Sequence, residues 1–373
     1  MIYADYAAGA PILPEVLDAM LPYFGASYGN PSANYDLGRE AAQAVEDARG
    51  IIAESIGADP SEIIFTSSGC ESDSLIVRGI MARNPRGRFV TSTVEHKTLQ
   101  EAARWLSERG WLVDRLGVDQ TGRIVPEALY GALHPSTALV SVMYANNELG
   151  SISDVARMAE ICHERDILFH SDCVQAYQKM PLNVKALGLD AASFSGHKIG
   201  APSGIGFLYL RDGVEIDPLI FGSQEGYRRG GTENVAYIVG LAKAVEIQSR
   251  TLEERIKKTA ENQKRLIDGL KNVGKLNGPE PGPDRLANNV SFRFDGIEGE
   301  ELLELLNLAG IAASTGSACN SSDGEPSHVL LAIGLSPEEA SSTIRFTINE
   351  DLTAEDIDRI SAKTAEFAES LRR

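Results

Sequence analysis

Lys198 and Asp172 have the residue types and the surroundings that amine chemistry needs. Lys198 lies in "SFSGHKIGAPSGIG" (193–206), after an apolar run, and Asp172 ends the run "ILFHSD" (167–172). A carboxylate at the edge of a sheet with two dry faces needs a cationic partner, and a pyridinium nitrogen is one such partner. A Schiff base to pyridoxal phosphate is the matching use of Lys198, because burial lowers the pKa of its amine. Taken alone, a Gly-His-Lys tripeptide is more typical of a solvated surface lysine.

The turn "SSGCES" (67–72) is a candidate phosphate site. It follows the apolar run "EIIFTSS" (62–68) and begins a stretch with helical spacing. Free backbone N–H groups and the helix dipole favour an anion at such a point. The same turn is equally typical of a simple helix cap, which Ser67 or Ser68 could provide.

These residues belong to a pattern of alternating strands and helices. Helices are predicted at 71–83, 97–110 and 154–166, the last with Asp154 as its N-cap, between apolar runs at 62–68, 88–94, 138–145, 167–172, 191–195 and 204–210. This alternation predicts βαβ units and a mainly parallel, covered sheet. Ligands bind at the carboxyl ends of such strands, where the chain places Ser67–Glu71, Thr93–His96, Tyr144–Asn147, Asp172–Gln175 and Ser195–Lys198.

The pattern changes near residue 240, which predicts a second domain. Residues 234–270 have the spacing of one long helix, a bridge between domains. Strands at 288–294 and 342–348, a helix at 298–310 and a final helix from about Thr353 predict a smaller α+β domain. We therefore expect a large domain over 12–250 and a small domain over 251–373, to which the N-terminal segment 1–11 is joined.

Composition narrows the class of protein. The 373 residues are 43% hydrophobic and 24% charged, and the net charge of −18 argues against binding to nucleic acid or to an anionic membrane. No apolar stretch is long enough to cross a bilayer, and residues 1–16 lack the features of a signal peptide. The four cysteines form no C-x-x-C pair, so we expect neither a disulfide framework nor a metal site, and a reducing cytoplasm as the location.

Two further patterns carry less weight. No G-x-G-x-x-G follows a strand and begins a helix, which disfavours a dinucleotide-binding enzyme. His134, His163 and His170 have no partner at metal-ligand spacing, and His328 begins a predicted helix, where we expect a structural role.

The sequence resembles the cysteine desulfurases of the NifS/IscS-like kind, within the class V aminotransferase group of fold-type I pyridoxal phosphate enzymes. The resemblance runs nearly end to end and keeps the order of the family's motifs. It is carried by "YADYAAGAPILPEVLDAMLPYF", "GNPSANYDLGRE", "EIIFTSSGCES", "VEHK", "ANNELGSI", "ILFHSDCVQA", "SFSGHKIGAPSGIGFLYLR", "RRGGTENV", "STGSACNSSDGEPSHVL" and "STIRFT".

The resemblance implies a role for several residues around the cofactor, pyridoxal 5'-phosphate. Lys198 would bind it as a Schiff base, and Asp172 would keep its pyridine nitrogen protonated. His96 would stack on the ring and carry protons, and Gln175 would bond the ring hydroxyl oxygen. The phosphate would be held by Gly69, Cys70, Ser195 and His197, with Thr232 reaching across from a second subunit.

The resemblance also implies the substrate contacts and the reaction. Asn147 would lie beside the cofactor, and Asn147 and Arg345 together would bind the substrate carboxylate. A carboxylate suits the bidentate hydrogen bonds that the Arg345 guanidinium can donate. Cys319 would take sulfur from L-cysteine, leaving L-alanine and a persulfide on Cys319. The sulfur would pass to an acceptor protein that serves iron–sulfur cluster assembly or the thiolation of tRNA or a cofactor. The enzyme would be a homodimer without direct contact to nucleic acid or membrane.

Other interpretations remain open for these residues. His96 could cap a helix, Asn147 could close a turn, and Arg345 could form a surface ion pair. Thr232 could cap the long helix, and Cys319 could be an inert small hydrophobe, although "STGSACNSSDGE" (314–325) has almost nothing to bury.

At the level of the whole protein, two alternatives to a desulfurase remain. One is another class V enzyme, such as a selenocysteine lyase or an aminotransferase. The other is an inactive sulfur-carrier scaffold. Four departures from the family's usual residues bear on cofactor affinity and activity, namely Cys70 for threonine, Gly9 for a hydroxyl residue, Tyr35 for histidine and Ser203 for lysine.

Overall fold

A computed structural model describes residues 1–315 and 326–372, so the predicted nucleophile Cys319 lies outside the described residues. The helices are α1 Pro14–Met20, α2 Asp36–Ile56, α3 Gly69–Arg83, α4 Lys97–Glu108, α5 Pro126–Ala132, α6 Val155–His163, α7 Val235–Arg250, α8 Leu252–Leu270, α9 Gly299–Leu308, α10 His328–Ala332, α11 Pro337–Ser341 and α12 Ala354–Leu371. The strands are β1 Ile2–Tyr3, β2 Ile63–Thr66, β3 Arg88–Ser92, β4 Leu112–Leu116, β5 Thr137–Ser141, β6 Leu168–Asp172, β7 Ala191–Ser195, β8 Gly206–Leu210, β9 Lys275–Leu276, β10 Asn289–Arg293, β11 Ile311–Ala312, β12 Ser314–Thr315 and β13 Thr343–Thr347.

The large sheet has the strand order β2-β8-β7-β6-β5-β3-β4. The neighbours from β7 to β4 pair in parallel, whereas β8 runs antiparallel to both β7 and β2. The predicted mainly parallel sheet is therefore confirmed. Apolar clusters cover both of its faces, one that includes Val45, Ile52 and Phe194 and one that includes Leu75, Leu99 and Leu208.

The edge strand β4 was missed in the sequence. It pairs only with β3 within the described chain, and its first residue, Leu112, is 54% exposed. An edge strand needs less apolar surface than a central one, so it lacks the continuous apolar run by which the other strands were recognised. The strand predicted from the apolar run at 138–145 is shorter in the structure, because β5 ends at Ser141.

The prediction of one continuous helix over 234–270 is wrong, because this stretch forms two helices. Thr251 has φ −121° and ψ 13°, outside helical values, and separates α7 from α8. Glu253 and Glu254 lie in the first turn of α8, where the positive end of the helix dipole favours acidic side chains. The cap of α7 is Asn234, whose side chain accepts a hydrogen bond from the Tyr237 N–H, so the alternative that Thr232 caps this helix is wrong.

Several predicted caps are confirmed. Ser68, one of the two serines considered, accepts from the Glu71 N–H at the start of α3. Asp154 accepts from the Arg157 N–H and caps α6. The predicted start of the final helix, at about Thr353, is also confirmed, because Thr353 is its N-cap.

The C-terminal residues form a second core. Strands β12, β13, β10 and β9 make an antiparallel sheet, and helices α8, α9 and α12 pack with it. Residues of the N-terminal segment, Ile2 and Ala4, belong to the same apolar cluster as Phe292 and Phe346, and β1 pairs with β11. Among the described residues, no helix combines the length and apolar character needed to cross a membrane.

Candidate active site

A cavity of about 390 Å³ opens where the carboxyl ends of β6 and β7 meet the N-terminal ends of α3 and α4. Nearly all of the predicted site residues that the structure describes line it, namely Gly69, Cys70, His96, Asn147, Asp172, Gln175, Ser195, His197, Lys198 and Arg345. Thr232 is exposed and does not line the cavity formed by this chain. The topology thus gathers residues from positions 69 to 345 at one edge of the sheet.

Lys198 lies in a short 3-10 turn, Gly196–Lys198, directly after β7. Its Nζ donates to the Ala7 carbonyl at 2.6 Å and to the Ala8 carbonyl at 2.9 Å. These bonds tie the amine to the N-terminal segment, and Lys198 lines the cavity. The alternative of a solvated surface lysine is therefore wrong.

Asp172 ends β6 and is 5% exposed. Its Oδ1 accepts from the Val174 N–H at 2.9 Å. Burial raises the pKa of Asp172, and the charges of His96 and Lys198 oppose this increase. A cationic ring nitrogen at this carboxylate would offset the cost of its burial.

Other buried acids surround Asp172, and the sequence analysis missed them. Burial raises the pKa of Glu95 to about 8 and that of Glu148 to about 7, and it also raises the pKa of Asp73, with the charge of Asp172 adding to the effect. Within the described chain, Asp73 Oδ1 has no hydrogen-bond partner. His170 lies 3.7 Å from it, and burial lowers the pKa of His170 to about 3. Burial thus favours the neutral form of these acids, and it does the same for Asp172, whose charged form is favoured by the nearby charges of His96 and Lys198.

His96 caps a helix, which is one of the two interpretations considered for it, and it also lies at the cavity, where stacking on a cofactor ring stays a prediction. It is the N-cap of α4, with Nδ1 accepting from the Thr98 N–H, and its ring lines the cavity. Burial lowers its pKa. His328 begins α10 as predicted, but it also lines the cavity, with Nε2 2.9 Å from the Glu95 carbonyl oxygen.

The first turn of α3 forms the end of the cavity that is predicted to hold the phosphate. A Cβ on Gly69 would lie 2.7 Å from Val174 Cγ2, so only glycine fits without a shift. The first N–H groups of a helix have no intrahelical partner and are available to an anion. Cys70 Sγ accepts from the Thr98 hydroxyl at 3.0 Å, and burial raises the pKa of this thiol. Cys70 places a neutral thiol where the family usually has a hydroxyl, and this exchange leaves the backbone N–H donors of the turn in place.

Ser195 and His197 complete this end. Ser195 Oγ and His197 Nδ1 are 2.9 Å apart and share a hydrogen bond. Burial and the nearby charges of Lys198 and Lys179 lower the pKa of His197 to about 4, so its ring is neutral near pH 7. The other ring nitrogen remains available to the cavity.

Arg345 is 4% exposed, which excludes the surface ion pair considered for it. Its Nη2 donates to Asp5 Oδ1 at 2.8 Å, and its Nη1 donates to the Asn147 carbonyl at 3.0 Å. The adjacent Asn146, rather than Asn147, closes the turn, because its Oδ1 accepts from the N–H groups of Glu148 and Leu149. Asn147 is thus free of the turn role and lines the cavity.

Pyridoxal phosphate fits this donor set. The cavity lining combines a backbone cradle that excludes a Cβ at Gly69, a buried carboxylate, Asp172, and a lysine, Lys198. This arrangement of an anion-binding turn, an amine and a carboxylate matches a phosphate, an aldehyde and a pyridinium nitrogen.

Comparison with a family model identifies the class of protein. The model described as Aminotransferase class-V matches residues 2–360. The chain therefore belongs to the class V aminotransferase family, whose enzymes depend on pyridoxal phosphate. The predicted fold class and cofactor are confirmed.

Individual relatives narrow the class to the cysteine desulfurases. The protein named cysteine desulfurase IscS of Methanosarcina thermophila is 44% identical over 376 residues, which cover 100% of this chain and 93% of that protein. A solved structure titled NifS-like protein has a TM-score of 0.93 and 35% identity, and the match covers 99% of this chain and 100% of that one. A structure titled SspA in complex with cysteine has a TM-score of 0.83 and 34% identity, with 93% and 99% covered.

Proposed function

We propose that this chain removes sulfur from L-cysteine through Lys198, Asp172, His96 and Arg345 in the cavity, with Cys319 as the residue that takes the sulfur. The observation that carries the residue assignment is the placement of Lys198 and Asp172 on neighbouring strand ends facing one cavity. The bonds of Lys198 to the carbonyls of Ala7 and Ala8 support its use as the reactive amine, because they hold the amine at the cavity wall.

Each residue has a defined task in the proposed mechanism. Pyridoxal phosphate, when bound, supplies an electron sink for charge that develops at the substrate α-carbon. The Asp172 carboxylate would pair with the positively charged ring nitrogen of the cofactor, and Arg345 would bind the substrate carboxylate. Lys198 Nζ takes the proton from the substrate α-carbon and returns a proton later. His96 confines the cavity on the side of α4.

Sulfur transfer requires a thiolate outside this set. In the proposed step the Cys319 thiolate attacks the sulfur of the substrate, so an S–S bond forms and the C–S bond breaks. The bonding electrons remain on the carbon fragment, which is protonated and leaves as L-alanine. The persulfide on Cys319 then passes its outer sulfur to an acceptor protein, for iron–sulfur cluster assembly or for thiolation of tRNA or a cofactor.

Borohydride reduction tests the assignment of Lys198. The holoenzyme is reduced, digested and analysed by mass spectrometry for the pyridoxyl group. We expect the label on the peptide that contains Lys198, and no covalent label on the Lys198→Ala variant treated in the same way. A label on a different lysine of the wild-type protein would refute the assignment.

We also propose a homodimer in which Thr232 completes the phosphate site of the partner subunit. Thr232 is exposed and lies outside the cavity of its own chain, and the same segment carries the exposed apolar side chains of Phe221 (87%) and Tyr227 (73%). Exposed apolar groups of this size are typical of a contact surface.

Subunit complementation tests this arrangement. Lys198→Ala and Thr232→Ala proteins are mixed under conditions that allow subunit exchange. If Thr232 acts across the interface, the mixed dimer has one site free of both substitutions and regains part of the activity. A monomeric mass by light scattering, or no recovery in demonstrated mixed dimers, would refute the proposal.

The domain division and the location follow as related proposals. We place the boundary at Thr251, where α7, which packs in the large apolar cluster, gives way to α8, whose Leu266 and Leu270 belong to the C-terminal cluster.

We propose a cytoplasmic location, and the free thiols of Cys70, Cys162 and Cys173 support a reducing environment.

A further inference from the structure

A second cavity lies behind Lys198. It has a volume of about 370 Å³ and is bounded by residues 10–14, the junction of α7 and α8, and residues 348–351. Lys198 borders both cavities, whereas Lys179 borders the second cavity and is not among the residues that line the first. Lys198 is therefore the residue shared by the active-site cavity and the cavity that holds Lys179.

Lys179 reaches the first cavity through Gln175. Its Nζ donates to Gln175 Oε1 at 2.7 Å, and Gln175 Nε2 donates to the Ala7 carbonyl at 3.1 Å. The Ala7 carbonyl also accepts from Lys198 Nζ. Lys179, Gln175, Ala7 and Lys198 thus form one continuous hydrogen-bonded chain between the two cavities.

The neighbours of Gln175 permit one orientation of its amide. While Lys179 is protonated, its ammonium group can only donate, so it requires the amide oxygen on its side. A carbonyl can only accept, so Ala7 requires the amide –NH₂ on the other side. The –NH₂ group has two hydrogens and gives one to Ala7, which leaves the second for an acceptor in the active-site cavity, where Gln175 is a lining residue.

We propose that Lys179 is a positioning residue that holds the Gln175 –NH₂ group toward the ring oxygen of the bound cofactor and strengthens it as a donor to that oxygen. The proposal rests on the proposed function, in which Gln175 contacts the cofactor. Its physical basis is that a donor polarised by a cation stabilises the anionic form of an oxygen acceptor better than an unassisted amide does.

The surroundings of Lys179 make its charge sensitive to pH. Burial lowers the pKa of Lys179 to about 7, and the charges of Lys198, Arg345 and Arg255 contribute. The other titratable groups near it include His197, on which its charge acts, and the residues Tyr6, Glu350 and Asp351 of the second cavity. A further cavity that Lys179 borders is also lined by Lys264, Asp268, Glu280 and Arg285. Loss of the proton from Lys179 near neutral pH would weaken its polarisation of Gln175.

Absorption spectroscopy of the bound cofactor tests this role without measuring turnover. We compare pH titrations of the chromophore in wild type, Lys179→Met and Lys179→Arg. Loss of one charge-assisted bond should raise the apparent pKa of the chromophore by about one unit in Lys179→Met and weaken cofactor binding about tenfold. Lys179→Arg keeps the charge and should titrate close to wild type. The matched control is Lys243→Met, a partly exposed lysine paired with Glu246 outside both cavities, which should titrate as wild type does.

A second pair of variants shows whether Lys179 acts through Gln175. In the Gln175→Ala background, Lys179→Met should change the chromophore pKa by less than half of its effect in the wild-type background. An equal shift in both backgrounds would overturn the proposal, because it would indicate a direct charge effect. An unshifted titration in Lys179→Met would also overturn it. If Lys179→Met does not fold, Lys179→Gln is judged by the same criteria.

The same data separate this inference from the proposed function. A wild-type protein that shows a titrating chromophore and a label on Lys198 upholds the function even when the Lys179 variants behave as wild type. A wild-type protein without a label on Lys198 refutes the function, and the role of Lys179 with it.

Discussion

At the scale of single residues, two cations of the site, Arg345 and Lys198, have partners on a distant part of the chain. Arg345 of β13 is paired with Asp5, and Lys198 is held by the carbonyls of Ala7 and Ala8. The N-terminal segment therefore orients two cations that come from positions far apart in the sequence. A buried guanidinium fixed in this way can bind a carboxylate with little loss of side-chain entropy.

We predict that Arg345→Gln raises KM for L-cysteine about 10- to 100-fold, because a charge-assisted hydrogen bond to the substrate carboxylate is lost. Steady-state kinetics measures the effect. The control is Arg293→Gln on the neighbouring strand β10, where the arginine pairs with Asp295 and Glu339. A KM for Arg345→Gln that equals the wild-type value would show that the substrate carboxylate binds elsewhere.

We predict that Cys319→Ser abolishes sulfur release and leaves the cofactor spectrum unchanged. A serine hydroxyl is a poor nucleophile toward sulfur and cannot hold a persulfide, whereas the cofactor contacts do not involve residue 319. Mass spectrometry after incubation with L-cysteine locates the added sulfur. Cys162→Ser and Cys173→Ser are the controls and should still gain one sulfur. Wild-type sulfide release by Cys319→Ser would contradict the proposed step.

At the scale of elements, the site depends on where strands end and helices begin. The turn after β2 brings the backbone of Gly69 against Val174, a residue of the turn after β6, and thereby places the first N–H groups of α3 at the cavity. The end of the cavity that is predicted to hold the phosphate is therefore built from the packing of two turns rather than from one helix alone.

We predict that Gly69→Ala weakens cofactor binding about tenfold or more. The new Cβ would lie 2.7 Å from Val174 Cγ2, so the first turn of α3 must move away from the phosphate position. Fluorescence or absorption titration of the apoprotein with pyridoxal phosphate measures the affinity. The control is Gly50→Ala within α2, where a Cβ meets nothing within 4 Å, so that cofactor affinity should be unchanged. Equal affinity in Gly69→Ala and wild type would argue against this cradle.

Much of this arrangement could be predicted from the sequence, because central strands are apolar throughout and their polar ends stand out. This is how Asp172, Gln175 and Lys198 were recognised. The break at Thr251 could not be predicted, since helical spacing continues on both sides of it. Asp73 and Glu95 were not singled out, because nothing in the residue type tells whether a carboxylate is solvated or buried. Their burial follows only from the packing of α3 and the sheet.

At the scale of the whole molecule, the buried acids couple stability to pH. The folded-state pKa of Glu95 is raised from 4.5 to about 8 by burial. Because the folded state holds this proton more tightly than the unfolded chain does, the contribution of Glu95 to stability is complete below pH 4.5 and is lost as the pH rises toward 8.

We predict that Glu95→Gln gains stability relative to wild type as the pH rises from about 5 to 8. Glutamine keeps an acceptor for the Ser92 hydroxyl and the Met143 N–H, both of which bond Glu95 Oε1, but it cannot ionise. Urea denaturation of the apoprotein across this range measures the difference. Glu160→Gln, at an exposed surface pair, should show a difference from wild type that does not change with pH. A constant difference for Glu95→Gln would mean that Glu95 ionises normally in the folded protein.

The central claim is that this molecule converts L-cysteine into L-alanine and transferable sulfur. The most direct measurement is the quantification of both products from purified holoenzyme supplied with L-cysteine and a reductant. We expect alanine and sulfide in equal amounts, and neither product from Lys198→Ala. Sulfide accompanied by pyruvate and ammonia in place of alanine, or no product from a protein with fully bound cofactor, would contradict the claim.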